Sequence, residues 1–504
     1  MKIKQQFIVI CLIMLGALSG YAQRQTPITN TSHAEKTTII EGEFLNAGDT
    51  LMVVELTREF GSGNSGLTVD TSVSAPTSGK RFKIVLPTLL RSTYVTLTSG
   101  AAGNPAIFLQ YYIEPGDSIH VVYDALTKKV NYSGRGSLKF WWHDRMNADE
   151  RRISDSQEQV NSYEHPEQHL ADLDEKLAYH LHQLDLIKDR LSTKEYFVSK
   201  ADVIAANRKL VYDFFRFSDF GRSSGNPELE TQMDQLYKDG YYQRPKDTID
   251  EDFLRSSAYY ALYLLSREEA DFAYQKFNSI PQAPSLYEHL KKGTPGYLRD
   301  KVITAHLVKE LGFSLLSDSV LSDAILTVKT PVYNRLLVHI QDQFGKGNTI
   351  STFNFPDKDG RLFSMAKFRG KVVFMDMWFT GCSGCIQVAK ALPGVEEAFK
   401  NNPDVLFVSL SIDKDKKVWM NSIDPAQTIK GGYTHYTTPS TLYLYTAGTG
   451  TNNQFIKKYN LTSSYPHLLL IGKDGRIIRM DPTRPDTEGG QGKLIAEIKE
   501  ALTQ

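Results

Sequence analysis

The amino-acid sequence predicts a multidomain chain in three parts: an all-β domain, a central all-α region and a C-terminal α/β domain. Three observations carry this reading. Apolar and polar residues alternate through Phe82, Ile84, Leu86 and again through Ile119, Val121, Tyr123, the period of half-buried strands. Leu170, Leu173, Leu177, Leu181, Leu184, Ile187 and Leu191 recur at intervals of three and four, which defines one apolar helix face. Near the end, two almost continuous apolar runs at 372–377 and 405–412 read as parallel strands covered on both faces, and the first leads into a Cys-x-x-Cys. At 504 residues the chain is too long for a single core.

Residues 1–22 read as a secretory signal. Lys2 and Lys4 precede an apolar run at 7–18, and Gly20-Tyr21-Ala22 offers small residues for cleavage after Ala22. The run is short for a membrane span, and Cys11 within it follows Ile10, a poor setting for lipidation. Residues 23–35 form a polar leader. The β domain spans 36–135, with turn chemistry at Asn46-Ala47-Gly48-Asp49 and Pro115-Gly116-Asp117 and Gly-Ser-rich hairpin loops at 61–66 and 99–104. Gly134-Arg135-Gly136 lacks the strand-turn-helix setting of a phosphate loop and reads as a turn at the domain boundary.

The helical region spans 137–345, with six to nine helices expected. A second apolar face runs through Leu298, Val302, His306 and Leu311 to Gly312. His165 and His169 stand four apart, as a helical metal pair would, but Pro166 interrupts them and no Glu or Cys completes a ligand set. His180 and His182 point to different faces. No metal and no cofactor are therefore expected. Phe140, Trp141 and Trp142 read as packing residues between the β domain and the helices. Lys plus Arg and Asp plus Glu number 58 each, so no basic footprint for nucleic acid exists.

In the C-terminal domain, 349–504, Cys382 and Cys385 are the only cysteines outside the signal. An exported pair in an oxidising compartment could be a staple, but a loop this short removes little unfolded-state entropy. Redox chemistry is the stronger reading. A cysteine at a helix N-terminus gains from unpaired N–H groups and the positive end of the dipole, which assigns Cys382 as the nucleophile. Cys385, one turn further in, is the less exposed resolving thiol. Asp376 lies amid Val372, Val373, Phe374, Met375, Met377 and Trp378, where a carboxyl needs a partner or a raised pKa. It reads as a proton relay or as a hydrogen-bonded strand-end aspartate. A helix from 383 to about 400 with a kink at Pro393, strands at 468–471 and 476–480 and a helix at 494–502 complete the domain. The stretch 424–453, rich in Gly, Thr and Tyr, with Tyr433, His435, Tyr436, Tyr443 and Tyr445, reads equally as a loop over the thiols or as a surface excursion.

The run F-P-D-K-D-G-R-L-F-S-M-A-K-F-R-G-K-V-V-F-M-D-M-W, the C-S-G-C, and S-Y-P-H-L-L-L-I-G-K-D-G-R-I-I at 464–478 together resemble the thioredoxin superfamily, and within it the exported TlpA/ResA-like thiol-disulfide oxidoreductases. The resemblance covers the last third of the chain. The segments I-E-P-G-D-S-I-H-V at 113–121 and Y-S-G-R-G-S at 132–137 resemble the small β domain that precedes such domains in exported bacterial proteins. It implies a thioredoxin-like fold, a redox-active Cys382–Cys385 disulfide, Asp376 as the buried acid and a cis bond before Pro466 opposite the thiols. Tyr465 would then present its backbone to an extended substrate, and Trp378 would wall the site. Four residues depart from the family pattern: Gly381 stands for tryptophan, Ser383-Gly384 for Gly-Pro or Glu-Pro, and Ile386 for a basic residue. The redox potential therefore cannot be inferred from the motif.

The resulting expectation is a reductase of protein disulfides in the periplasm or cell envelope. Its electrons would come from a membrane thiol-shuttling reductant, and its N-terminal regions are available for homo-oligomerisation. Two other readings stand beside it. A thiol peroxidase on the same fold has support from Phe379-Thr-Gly-Cys382, but no proline stands in the required place and no arginine is near in sequence. A non-catalytic binding or scaffold protein is suggested by the large portion outside the redox domain.

Overall fold

The computed structural model describes residues 37–46, 50–57, 69–89, 91–99, 106–156, 164–243, 248–312, 318–344, 347–424, 436, 438, 440–459 and 465–504. The expected signal and leader, the turn at 47–49 and the Gly-Ser-rich stretches at 61–66 and 100–104 lie outside the described residues. Two compact units are present, one ending at His306 and one running from Leu307 to Gln504.

The first unit opens with β1 (Ile39–Leu45), β2 (Leu51–Thr57), β3 (Val69–Pro76), β4 (Arg81–Val85), β5 (Thr93–Ser99), β6 (Ala106–Ile113), β7 (Ser118–Asp124) and β8 (Lys129–Ser133). They form two four-stranded sheets, β4-β1-β7-β8 and β3-β2-β5-β6. Every pair is antiparallel except β1 with β7. Every second residue of β1 and β7 is buried. These inward residues, including Ile40, Phe44, Ile119 and Val121, share one core with Met52, Val54 and Leu97 of the other sheet. The turn into β7 has Gly116 at φ 89°, the left-handed value its second central position requires.

Between Ser137 and Phe344 the described residues hold ten α-helices: α1 (Ser137–Ser156), α2 (Pro166–Asp185), α3 (Thr193–Phe217), α4 (Pro227–Gly240), α5 (Glu251–Ser256), α6 (Tyr260–Phe277), α7 (Leu286–Lys291), α8 (Tyr297–Gly312), α9 (Asp318–Thr327) and α10 (Pro331–Phe344). This exceeds the expected range because α5 and α7, six residues each, are too short for a 3.6-residue period to register. The leucine pattern likewise spans more than one helix. Helix α2 ends at Asp185 and Leu186 is exposed, while Ile187 and Leu191 rejoin the same cluster around a 3-10 turn.

Phe140 lies in the sandwich core, edge-on to Phe108, and Trp142 packs with Leu177, Leu184 and Tyr196. Trp141 departs from expectation: it is exposed, with the Arg145 guanidinium over its ring. Adjacent in sequence on a helix, the three residues cannot share one face. Lys139 is 2% exposed and lies 2.7 Å from Asp117 and 2.6 Å from Glu195, a buried cation joining the sandwich, α1 and α3. His169 packs on Phe214, and burial lowers its pKa; His180 is buried while His182 is exposed.

Helix α3 starts with a reciprocal cap: Ser192 Oγ accepts the Glu195 N–H at 3.1 Å and Glu195 Oε2 accepts the Ser192 N–H at 2.8 Å. The Ser192→Ala variant is expected to lose about 1 kcal/mol of stability. A lower urea midpoint with an unchanged slope would show it.

The second unit continues with β9 (Asn354–Pro356) and β10 (Leu362–Ser364), a short hairpin, and then a five-stranded mixed sheet. The strands are β11 (Val372–Trp378), β12 (Val405–Ser411), β13 (Leu442–Tyr445), β14 (His467–Ile471) and β15 (Ile477–Met480), in the order β13-β12-β11-β14-β15. Parallel pairing joins β11, β12 and β13, and antiparallel pairing adds β14 and β15. Four helices accompany them: α11 (Ser383–Glu397), α12 (Lys416–Ile423), α13 (Gln454–Tyr459) and α14 (Gly490–Leu502). Val388, Leu392 and Val395 of α11 and Leu494 and Ile498 of α14 cover Val372, Phe374, Leu468 and Leu470. Helix α11 contains Pro393 within its assigned length. The 424–453 stretch is more than a loop, since it supplies the edge strand β13; Tyr433 and His435 lie outside the described residues.

Candidate active site

All seven residues of β11 are buried, and the strand delivers the chain to a turn that starts α11. Cys382 is the N-cap of α11, and its Sγ accepts the Cys385 N–H at 3.1 Å. The two cysteines form a disulfide with Cα atoms 5.3 Å apart. Cys382 is 6% exposed and Cys385 1%, so the residue at the cap is the more accessible of the two. An N–H aimed at Sγ stabilises a thiolate there once the bond is reduced.

The turn before Cys382 is held from the carboxyl end of β12, because register pairs Trp378 with Ser411. Asp413 accepts the Thr380 N–H and the Thr380 hydroxyl, each at 2.9 Å, and the Ser411 hydroxyl at 2.9 Å. The Tyr436 hydroxyl accepts the Gly381 N–H at 2.6 Å. Its ring stacks on Trp378 with centroids 4.6 Å apart. Trp378 is fully buried and donates from Nε1 to Ser409 at 2.6 Å. Trp378, Tyr436, Ile386 and Trp419 pack with both cysteines in one apolar cluster.

The alternation of β11 puts Asp376 on the same side as Val372 and Phe374, the side that α11 covers. Burial pushes its carboxyl up to about 7, the nearby Glu396 adds to this, and a hydrogen bond with Ser409 opposes it. Glu396 is itself buried on α11 and accepts from the Thr441 hydroxyl at 2.7 Å and from Thr438.

The Tyr465–Pro466 bond is cis. A Cβ on Gly384 would lie 3.2 Å from Pro466 Cδ and 3.8 Å from the Tyr465 carbonyl, so the proline packs directly on the residue between the cysteines. That contact requires a small residue at 384. The Tyr465 ring meets Phe379 edge-on at 5.5 Å. The same position on Gly384 is 3.7 Å from Nη2 of Arg484.

Cys382, Cys385, Trp378, Tyr465 and Pro466 are thus gathered around the disulfide, and Asp376 lies on the face of β11 that α11 covers, beside Ser409. Sequence reasoning named Tyr436 only as one aromatic of a stretch that could cover the thiols, and it missed Asp413, Glu396 and Arg484. Only Asp413 had a usable signal, since it follows the carboxyl end of a parallel strand, where α/β sites form. The geometry suits two-electron exchange between a more accessible and a more shielded sulfur, with a buried carboxyl raised to about 7 on the strand that leads into them.

Residues 370–477 match a family model described as thioredoxin-like. No curated protein matches the chain. Among similar solved structures, one from Bacteroides vulgatus, provisionally described as a thiol-disulfide oxidoreductase, is 30% identical over 31% of this chain and 89% of its own, with a TM-score of 0.24. The thioredoxin domain of another Bacteroides vulgatus thiol-disulfide oxidoreductase is 21% identical over 31% and 96%, with a TM-score of 0.25. A thiol-disulfide oxidoreductase from Bacteroides fragilis is 20% identical over 30% and 98%, with a TM-score of 0.25.

Proposed function

We propose that this chain, whose residues 370–477 are a thioredoxin-like domain, is an exported thiol-disulfide oxidoreductase of the TlpA/ResA type working as a reductase of protein disulfides. The observation that carries the reading is the Cys382–Cys385 disulfide, with Cys382 at the start of α11 and Pro466 packed on Gly384.

In the proposed cycle the reduced Cys382 thiolate attacks one sulfur of a substrate disulfide. A Cys382–substrate bond forms, the substrate S–S bond breaks, and one substrate thiolate leaves and takes a proton. Cys385 then loses its proton towards the Asp376 carboxylate and attacks Cys382 Sγ. The intramolecular disulfide forms and the second substrate thiol leaves. Two electrons and two protons pass to the substrate. An external dithiol, proposed to be a membrane thiol-shuttling reductant, restores the pair by the same two exchanges in reverse. In this reading the Tyr465 backbone, whose carbonyl lies beside Gly384, pairs with an extended substrate backbone.

The test is trapping. The reduced Cys385→Ser variant, mixed with a disulfide-bonded protein, is expected to accumulate a covalent adduct through Cys382 that a reducing agent releases. Wild-type protein reduced beforehand should reduce the same disulfide faster than its oxidised form oxidises a dithiol peptide. Absence of both adduct and exchange would remove the proposal. Peroxide consumption without disulfide exchange would favour the peroxidase reading instead.

A further inference from the structure

From Phe379 to Ala389 the chain carries no charged side chain, so this segment brings no cation to the thiols. Arg484, a hundred residues later, supplies one. Its Nη2 comes within 3.7 Å of the Cβ position on Gly384, the same spot that Pro466 and the Tyr465 carbonyl approach.

One edge of the guanidinium is occupied. Nε and Nη2 donate to the two carboxylate oxygens of Asp486 at 3.1 and 2.7 Å. This clamp fixes the plane of the group, and Asp486 is the less exposed partner. The other edge is open, because Nη1 has no partner among the described residues and the side chain is 41% exposed. The second acid nearby, Asp481, accepts the Leu468 N–H at 2.8 Å and lies 3.4 Å from His467 Nδ1. A planar guanidinium held on one edge presents the other as a two-pronged donor suited to a carboxylate.

We propose that Arg484 is a specificity-determining residue that binds a carboxylate flanking the disulfide of an acidic peptide or protein substrate. The inference rests on the oxidoreductase reading and deepens it. A substrate strand laid beside Tyr465 and Pro466 has its cysteine at Cys382 and a neighbouring side chain at the outer edge of Arg484. An Asp or Glu there gains a charge-assisted pair in a half-exposed setting, where such pairs contribute modestly and are screened by salt.

The test compares two synthetic disulfide peptides that differ only in Asp against Asn beside the cysteine. With reduced wild-type protein, kcat/KM for the Asp peptide is expected to exceed that for the Asn peptide about three- to fivefold, chiefly through KM, and added salt should shrink the ratio. In Arg484→Gln the ratio should fall to about one, and Arg484→Lys should keep part of it. A wild-type ratio of one, or a ratio unchanged in Arg484→Gln, would overturn the proposal. Equal slowing of both peptides in Arg484→Gln with a raised Cys382 thiol pKa would overturn it in favour of a thiolate-stabilising role. If the wild type reduces neither peptide nor any other disulfide, the oxidoreductase reading fails first, and the inference with it.

Discussion

The Cys382→Ser variant is expected to lose disulfide reduction by about a thousandfold or more, because the thiolate is the nucleophile and a serine hydroxyl at neutral pH is not a substitute. Reduction of a disulfide-bonded protein by an excess of small dithiol, with and without the variant, measures this. The two side chains are nearly the same size, and the three-residue separation of the disulfide contributes little chain entropy. The thermal midpoint should therefore stay close to that of the wild type, which separates lost chemistry from lost folding. Activity equal to wild type would leave the scaffold reading as the better account.

The second large effect belongs to Asp376. Its carboxyl is raised to about 7 in the folded protein from an ordinary value of 3.8. A raised acid favours its neutral form, so its contribution to stability is fully present below about pH 4 and is lost as pH rises through about 7. The Asp376→Asn variant is neutral at every pH. It should be more stable than wild type above pH 7, by a few kcal/mol at most, and similar to it near pH 4. Activity should move the opposite way. Without a proton acceptor for Cys385, exchange is expected to fall about ten- to a hundredfold near pH 7, and the limb of the pH–rate profile that rises through about 7 should vanish. Denaturation midpoints at pH 5 and pH 8, beside pH–rate profiles, give both readouts. A variant that is no more stable at pH 8 would mean that the carboxyl is ionised and paired in the wild type, and the relay would go with it.

What could be read in the sequence follows the range of the contacts involved. The strand–Cys-x-x-Cys–helix unit is local: seven apolar-flanked residues, a tight turn and a helix start lie within thirty residues, and their periodicity suffices. Pro466 came from the resemblance alone, since nothing in its own neighbourhood relates it to Gly384. Tyr436, Asp413 and Arg484 reach the thiols through sheet register and loop return. No local pattern encodes a tyrosine that accepts an N–H 55 residues away. Strand β13 went unread because four residues inside a stretch rich in Gly, Thr and Tyr offer too short a run to establish a period. Trp141 was grouped with its neighbours by composition, while helical geometry turned it to solvent.

The parallel pairing of β1 with β7 has a kinetic consequence. The bond from the Gly116 N–H to the Thr38 hydroxyl spans 78 residues, and β1 sits between β4 and β7. Neither side of β1 can be completed by a neighbouring hairpin, so closing this sheet requires loop formation over most of the β domain before any contact there is rewarded. The first strand in sequence therefore waits, unpaired on one side, for the seventh. That interval leaves an open strand edge exposed, so early folding is the time when the β domain is most open to self-association.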